Sequence, residues 1–172
     1  ATGIGTQHGG ILVDFNAVKG GIEIIPLDND WQRAAHVYSD EVLISHRTDA
    51  EKGTPKFERG KSLSDHQQEM IYISGTAAIR GEESIVTGDV LVQTEITLEN
   101  IQHLIGLEEG REKLPEHSGK LELLRVYLKH EEDAKIVKED MDKLCPDVPI
   151  VYLYADVCRE ELLVEIEGIA YL

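Results

Sequence analysis

Glu165 and Glu167 are separated by one residue within Leu162 to Tyr171, a run whose apolar residues alternate as in a strand. Side chains alternate across a strand, so the two carboxyls share one face roughly 7 Å apart, opposite Leu162, Val164 and Ile166. Partial burial of such a pair raises at least one pKa into the range where a carboxyl gives up a proton near neutral pH, which is what a general acid requires. In a solvated strand the same spacing is inert. The rest of that face therefore decides what the pair can do.

Three other segments contribute to it. In Leu121 to Lys129 the apolar set is Leu124, Val126 and Leu128, which leaves Arg125, Tyr127 and Lys129 on the other side. Alternation puts Tyr72, Ser74 and Thr76 together in Met70 to Ile79, and Tyr152 and Tyr154 together in Pro149 to Asp156. All four strands are expected to send polar or aromatic groups to one surface. A solvated sheet face is the plain explanation. Tyrosines beside an arginine and paired carboxylates fit a pocket lining or a subunit interface better, because amphipathic aromatics favour sites with one dry and one wet end. The expectation is an oligomer, with the Glu165/Glu167 pair as the catalytic candidate.

The elements that must hold this face follow from periodicity. Gly88-Asp89 opens a helix with Leu91, Leu98, Ile101 and Ile105 at helical spacing, and Asp89 suits its positive end. A second helix carries Ala134, Val137, Met141 and Leu144 at steps of three and four, and Cys145-Pro146 stops it. The order strand, helix, strand, helix, strand, strand predicts an α+β domain, one sheet with both helices on the same face. Upstream, the apolar runs Gly10 to Val18, Ile22 to Leu27 and Glu41 to Ser45 read as extra N-terminal strands or a hairpin. Arg47 to Gln68, rich in charge, Gly and Pro, reads as a loop, and any function for it would be as a binding loop. Residues 1–50 are thus an N-terminal strand extension and 55–172 the domain proper.

Composition narrows the function classes. With 172 residues, one core is the default. Seventeen basic against 33 acidic residues leave a formal charge of −16, which repels phosphate backbones and anionic lipid, so neither nucleic acid nor a membrane surface is expected as partner. A small anionic metabolite remains open, because a few arginines set the local potential of a pocket. Cys145 and Cys158 form no CxxC pair, and His8, His36, His46, His66, His103, His117 and His130 lack HxH or HExxH spacing. No metal, cofactor or disulfide framework is expected, and a reducing, cytoplasmic setting fits. The start, Ala1-Thr2-Gly3-Ile4-Gly5, reads as a cut from a longer chain rather than a signal peptide.

Several segments carry a family likeness. Ile73-Ser74-Gly75-Thr76, Gly88-Asp89-Val90 with Gln93-Thr94, Leu98-Glu99-Asn100-Ile101 and Val164-Glu165-Ile166-Glu167-Gly168-Ile169-Ala170 resemble the signature of the YjgF/RidA superfamily, also labelled endoribonuclease L-PSP and translation initiation inhibitor. The resemblance implies a chorismate-mutase-like fold, a homotrimer or pseudo-trimer, and ligand sites between neighbouring subunits or domains. Ala1 to Gly5, Pro55-Lys56-Phe57-Glu58-Arg59-Gly60 and Ala155-Asp156-Val157-Cys158-Arg159 are similar to chorismatases, which hydrolyse the enolpyruvyl ether of chorismate to pyruvate and a dihydroxy-cyclohexadiene or hydroxybenzoate acid. It implies a Glu that protonates the enolpyruvyl methylene, at the position of Glu165. Arg59 and Arg159 are then carboxylate partners, with Phe57, Gly75, Thr76, Tyr127 and Tyr154 lining the pocket.

Two departures bear on the activity. The superfamily's imine and enamine deaminases hold the substrate carboxylate with an Arg shortly after the Pro that opens the penultimate strand, whereas here Pro149 is followed by Ile150. Chorismatases also carry an additional N-terminal domain, and this chain has the length of about half of one, so the resemblance implies self-association as a homotrimer or as a pseudo-trimer with a missing N-terminal domain. The alternatives to chorismatase-like hydrolysis are a non-catalytic trimeric metabolite-binding module and a deaminase with a relocated Arg. The charge and the absence of a nucleophile–base pairing argue against RNA cleavage.

Overall fold

The final apolar strand is flanked on both sides because its two neighbours belong to a strand–helix–strand unit split open to admit it. The computed structural model describes residues 15–43, 53–65, 67–106 and 120–172. In chain order these form β1 (Glu23–Leu27), β2 (Gly60–Ser64), β3 (Glu69–Thr76), a short hairpin of β4 (Ile79–Arg80) and β5 (Glu83–Ser84), α1 (Val90–Ile105), β6 (Lys120–Leu128), α2 (Ala134–Leu144), β7 (Ile150–Tyr154) and β8 (Val164–Tyr171). Six strands make one sheet in the order β1-β2-β3-β8-β6-β7. The β6–β7 pair, joined through α2, is parallel, and the other pairs are antiparallel. The fold is the expected α+β arrangement, a mixed sheet with two helices.

Both helices cover the same face. Leu124, Val126 and Leu128 of β6 and Val164 and Ile166 of β8 are buried with Leu98, Ile101 and Ile105 of α1 and with Val137 and Met141 of α2 in one cluster. The Asp89 carboxylate accepts from the N–H groups of Leu91 and Val92 and so caps α1, while Gly106 closes the helix in the left-handed conformation with φ +71°. Leu144, expected in the core, lies at the frayed end of α2 and is exposed. Among the described residues no helix is long and apolar enough to cross a membrane.

The N-terminal half departs from expectation. Of the strands read there, β1 matches Ile22 to Leu27, whereas residues 15–18 form no strand and Glu41 and Val42 lie in a turn. Gly10 to Asp14 and Ile44 and Ser45 lie outside the described residues. The segment read as a loop from Arg47 to Gln68 contains β2, pairing with β1 on one side and β3 on the other. Gly60-Lys61-Ser62-Leu63-Ser64 has too few apolar residues to show a period, and neighbours on both sides supply the hydrogen bonds that fix it.

Residues 28–33 are tied to α1 by polar contacts. The Asn29 side chain donates to the Asn100 carbonyl (2.9 Å), and Asp30 pairs with His103. The Trp31 ring stacks on His103 with centroids 3.9 Å apart, and the Arg80 guanidinium lies over Trp31 at 4.7 Å. This stack pins the N-terminal segment against the β4–β5 hairpin.

Candidate active site

Strand register sorts the expected site residues by face. Glu165 is level with Tyr127 and Glu167 with Arg125, so all four share the face turned away from the helices. The Glu167 Oε1 accepts from Arg125 Nη1 and from the Tyr127 hydroxyl, each at 2.7 Å. Burial, then the neighbouring Glu167, pushes the Tyr127 phenol up to about 12. Glu167 is thereby held as a carboxylate by a cation and a phenol that stays protonated.

Glu165 has a different environment. It is only 5% exposed, and no hydrogen bond reaches its carboxyl among the described residues. Desolvation first, and the Glu167 charge second, push it up to about 7. Its neighbour Cys158 is reachable from solvent, yet the protein packed around that thiol, followed by the Glu165 charge, raises its pKa too. Of two carboxyls two residues apart, one is thus pushed toward keeping its proton while the other is paired with a cation and a phenol.

Thr76 and Tyr154 do not join this face. Ile73 pairs with Gly168 and Thr76 with Ile166, so three steps on β3 match two on β8 and Ser74-Gly75 bulges opposite Glu167. The extra residue reverses the alternation, and Thr76 falls level with core residue Ile166, its hydroxyl donating to the Ser74 carbonyl (2.8 Å). Tyr72 and Ser74 keep the expected side. In β7, Tyr152 is level with Val126 and Tyr154 with Leu128, which puts both tyrosines on the helix-covered side. Tyr152 packs against the core there, while Val151 and Leu153 are the residues of β7 on the Glu165 side. Because both sets of Ile150-Val151-Tyr152-Leu153-Tyr154 are apolar or aromatic, alternation alone gives no direction.

Arg59 and Arg159 meet at one tyrosine that sequence reasoning did not single out. Their guanidinium carbons lie 5.7 and 5.5 Å from the Tyr38 ring centre, and Arg59 also sits 5.3 Å from that of Phe57. Arg59 Nη2 donates to the Arg33 carbonyl (2.7 Å) and to the Tyr38 hydroxyl. Arg159 Nη1 donates to the Glu82 carbonyl (2.9 Å) and to Ser84 Oγ (3.0 Å). Both arginines are buried, and the Arg59 Nε has no acceptor among the described residues. The Arg59 carbonyl accepts from Ser74 N–H (3.0 Å), which sets this cluster beside the Ser74-Gly75 bulge and hence next to Glu167. Tyr38 carries no periodic signal, since its neighbours form a single 3-10 turn, Ala35–Val37.

Open depressions among the described residues include two that lie away from Glu165. One is lined by Phe15, Ile24, Lys61, Leu63 and Tyr72 on the open sheet face, the other by Gly88, Asp89, His130 and Asp133 near the start of α1.

The sequence and the fold resemble those of known proteins. The chain is 34% identical over 177 residues to a chorismatase of Streptomyces rapamycinicus, a match covering 98% of this chain and 50% of that protein. A chorismatase crystal structure superposes with a TM-score of 0.68 at 29% identity, over 86% of this chain and 43% of that one. The YjgF gene product of E. coli gives a TM-score of 0.56 at 17% identity over 85% and 97% of the two chains, a likeness of fold. The chain is thus similar to chorismatases in sequence and in fold, and it has the fold of the YjgF proteins. No protein-family model matches it. The chain spans about half the length of the curated relatives it matches.

Proposed function

We propose that this chain is the Glu165-bearing part of an enzyme that hydrolyses the enolpyruvyl ether of chorismate or a similar carboxylic acid, with Glu165 as general acid. The observation that carries this reading is the split between neighbouring carboxyls, one buried and titrating near 7, the other an anchored anion. The likeness to chorismatases supplies the substrate class.

In this reaction the Glu165 carboxyl gives its proton to the methylene carbon of the enol ether. The double-bond electrons form the new C–H bond, and positive charge develops on the ether carbon as an oxocarbenium ion. Water adds to that carbon and loses a proton, which returns to Glu165. The hemiketal then breaks its ether C–O bond to give pyruvate and a ring alcohol. Glu167, held anionic on the same face, favours the positive charge and keeps a proton on Glu165 at neutral pH. Arg59 and Arg159 hold carboxylates with the N–H groups left after their backbone contacts, against the Phe57 side chain. Gly75 lies in the bulge opposite Glu167, and Tyr127 orders the carboxylate of Glu167.

The face bearing Glu165 also exposes Ile24, Val151 and Leu153. A neighbouring subunit or domain covering that apolar surface would close the pocket, as a trimer or pseudo-trimer. The test is pyruvate release from chorismate by the intact protein. Activity is expected to fall about 10²-fold or more in Glu165→Gln. Folded protein that binds small carboxylic acids, seen as a raised melting temperature, yet releases no pyruvate would replace this reading with a metabolite-binding module.

A further inference from the structure

Gln93 is a fully buried polar side chain in the first turn of α1, and the reaction above gives it no role. Its Nε2 donates to the Glu161 carbonyl (3.0 Å), and its Oε1 accepts from the Leu163 N–H (2.8 Å). Both partners lie in the segment that joins β7 to β8, and Leu163 is two residues before Glu165. From the opposite side Lys129 Nζ donates to the Glu160 carbonyl (2.7 Å), and the Lys129 N–H to the Leu163 carbonyl (3.0 Å). The backbone of Leu163 is therefore fixed on both its donor and its acceptor. A carboxamide presents one donor and one acceptor side by side, as a neighbouring strand would. An apolar side chain of similar size would fill the same space and leave a partly buried carbonyl and a partly buried N–H unpaired.

We propose that Gln93 is a positioning residue that sets how Glu165 enters the open sheet face opposite Tyr127. This rests on the reading of Glu165 as the proton donor. The groups that face Glu165 are Glu167 on its own strand, Tyr127 level with it on β6, and Cys158 in the segment that Gln93 holds. A shift of that segment changes the distance from Glu165 to all of them.

The experiment compares Gln93→Met, which keeps volume and loses both bonds, with Gln93→Glu, which keeps the acceptor for Leu163 N–H. Both are made in the intact protein and read without substrate by carboxyl-carbon NMR of Glu165 and by amide exchange at Leu163, then with chorismate. In Gln93→Met, Glu165 is expected to change its proton affinity about threefold or more and Leu163 to exchange about tenfold faster. The value of kcat should fall about tenfold with KM within about threefold, because misplacement of an acid acts on the chemical step. Gln93→Glu should fall between. A folded Gln93→Met protein whose Leu163 exchanges faster while the Glu165 titration and kcat stay unchanged would overturn the proposal, leaving Gln93 a purely structural clamp. If Gln93→Met fails to fold, Gln93→Glu carries the same comparison. Absence of pyruvate release by the wild type would overturn the hydrolase reading, whereas the substrate-free titration still decides the role of Gln93.

Discussion

Glu165 and Glu167 share one face of β8 but not one environment. Arg125 and Tyr127 both donate to Glu167 at 2.7 Å, and Glu165 is buried without such a donor among the described residues. A fixed anion thus sits beside a carboxyl that keeps its proton up to about pH 7.

This carboxyl makes stability fall with rising pH. Below about pH 4.5 Glu165 is protonated both folded and unfolded. Between there and 7 the unfolded chain releases the proton while the folded chain retains it, so stability contributed by the neutral carboxyl is progressively lost. Across that window the wild type is expected to lose about 3 kcal/mol relative to Glu165→Gln. Urea unfolding of both proteins at pH 4.5 and pH 8 measures the difference.

Removal of the anion without touching the acid tests the second cause. Glu167→Gln should lower the Glu165 midpoint toward the ordinary carboxylate value without reaching it, since desolvation is the larger cause and remains. Carboxyl-carbon NMR reads this directly. A midpoint that stays put would mean that burial alone sets it.

Gly168 has no room for a side chain. A Cβ there would lie 2.6 Å from the Leu123 carbonyl oxygen and 2.7 Å from Leu124 Cδ2, where β6 runs beside β8 just past the irregularity between Leu121 and Leu123. Backbone cannot yield as a side-chain tip does, so Gly168→Ala is expected to destabilise by about 2–3 kcal/mol. Gly60→Ala, whose nearest neighbours are at 3.1 Å, should be milder. Chemical denaturation of the two variants ranks them.

Tyr38 holds two buried guanidiniums through its ring and one through its hydroxyl. Tyr38→Phe keeps the ring and should cost about 1 kcal/mol, whereas Tyr38→Leu should cost about 2–3 kcal/mol. Thermal unfolding separates the two. Equal losses would place the whole effect on the hydroxyl.

Gln93 shows where sequence reading reaches its limit. Gln93, Thr97 and Asn100 recur at steps of four and three, so polar residues share a helix face that folding buries. That spacing signals buried hydrogen bonds but does not name their partners, which for Gln93 lie 68 and 70 residues away. Tyr38 gives no such signal, because a residue beside a short turn has no period to violate.

The sequence by itself determined what depends on local rules: α1 with its Asp89 cap, α2, the strands around β8, and the shared face of Glu165 and Glu167, which follows from a period of two. Tertiary structure decided what local rules leave open. A strand with two apolar faces, such as β7, takes its direction from its neighbour, and that turned Tyr152 and Tyr154 toward the helices. A single extra residue at Ser74-Gly75 reversed the side of Thr76, and pairing on both sides made a strand of Gly60–Ser64. Glu165 came to keep its proton up to about pH 7, and Glu167 to be paired beside it, only when folding buried the one and β6 brought Arg125 and Tyr127 to the other, because burial and charge act through space and not along the chain.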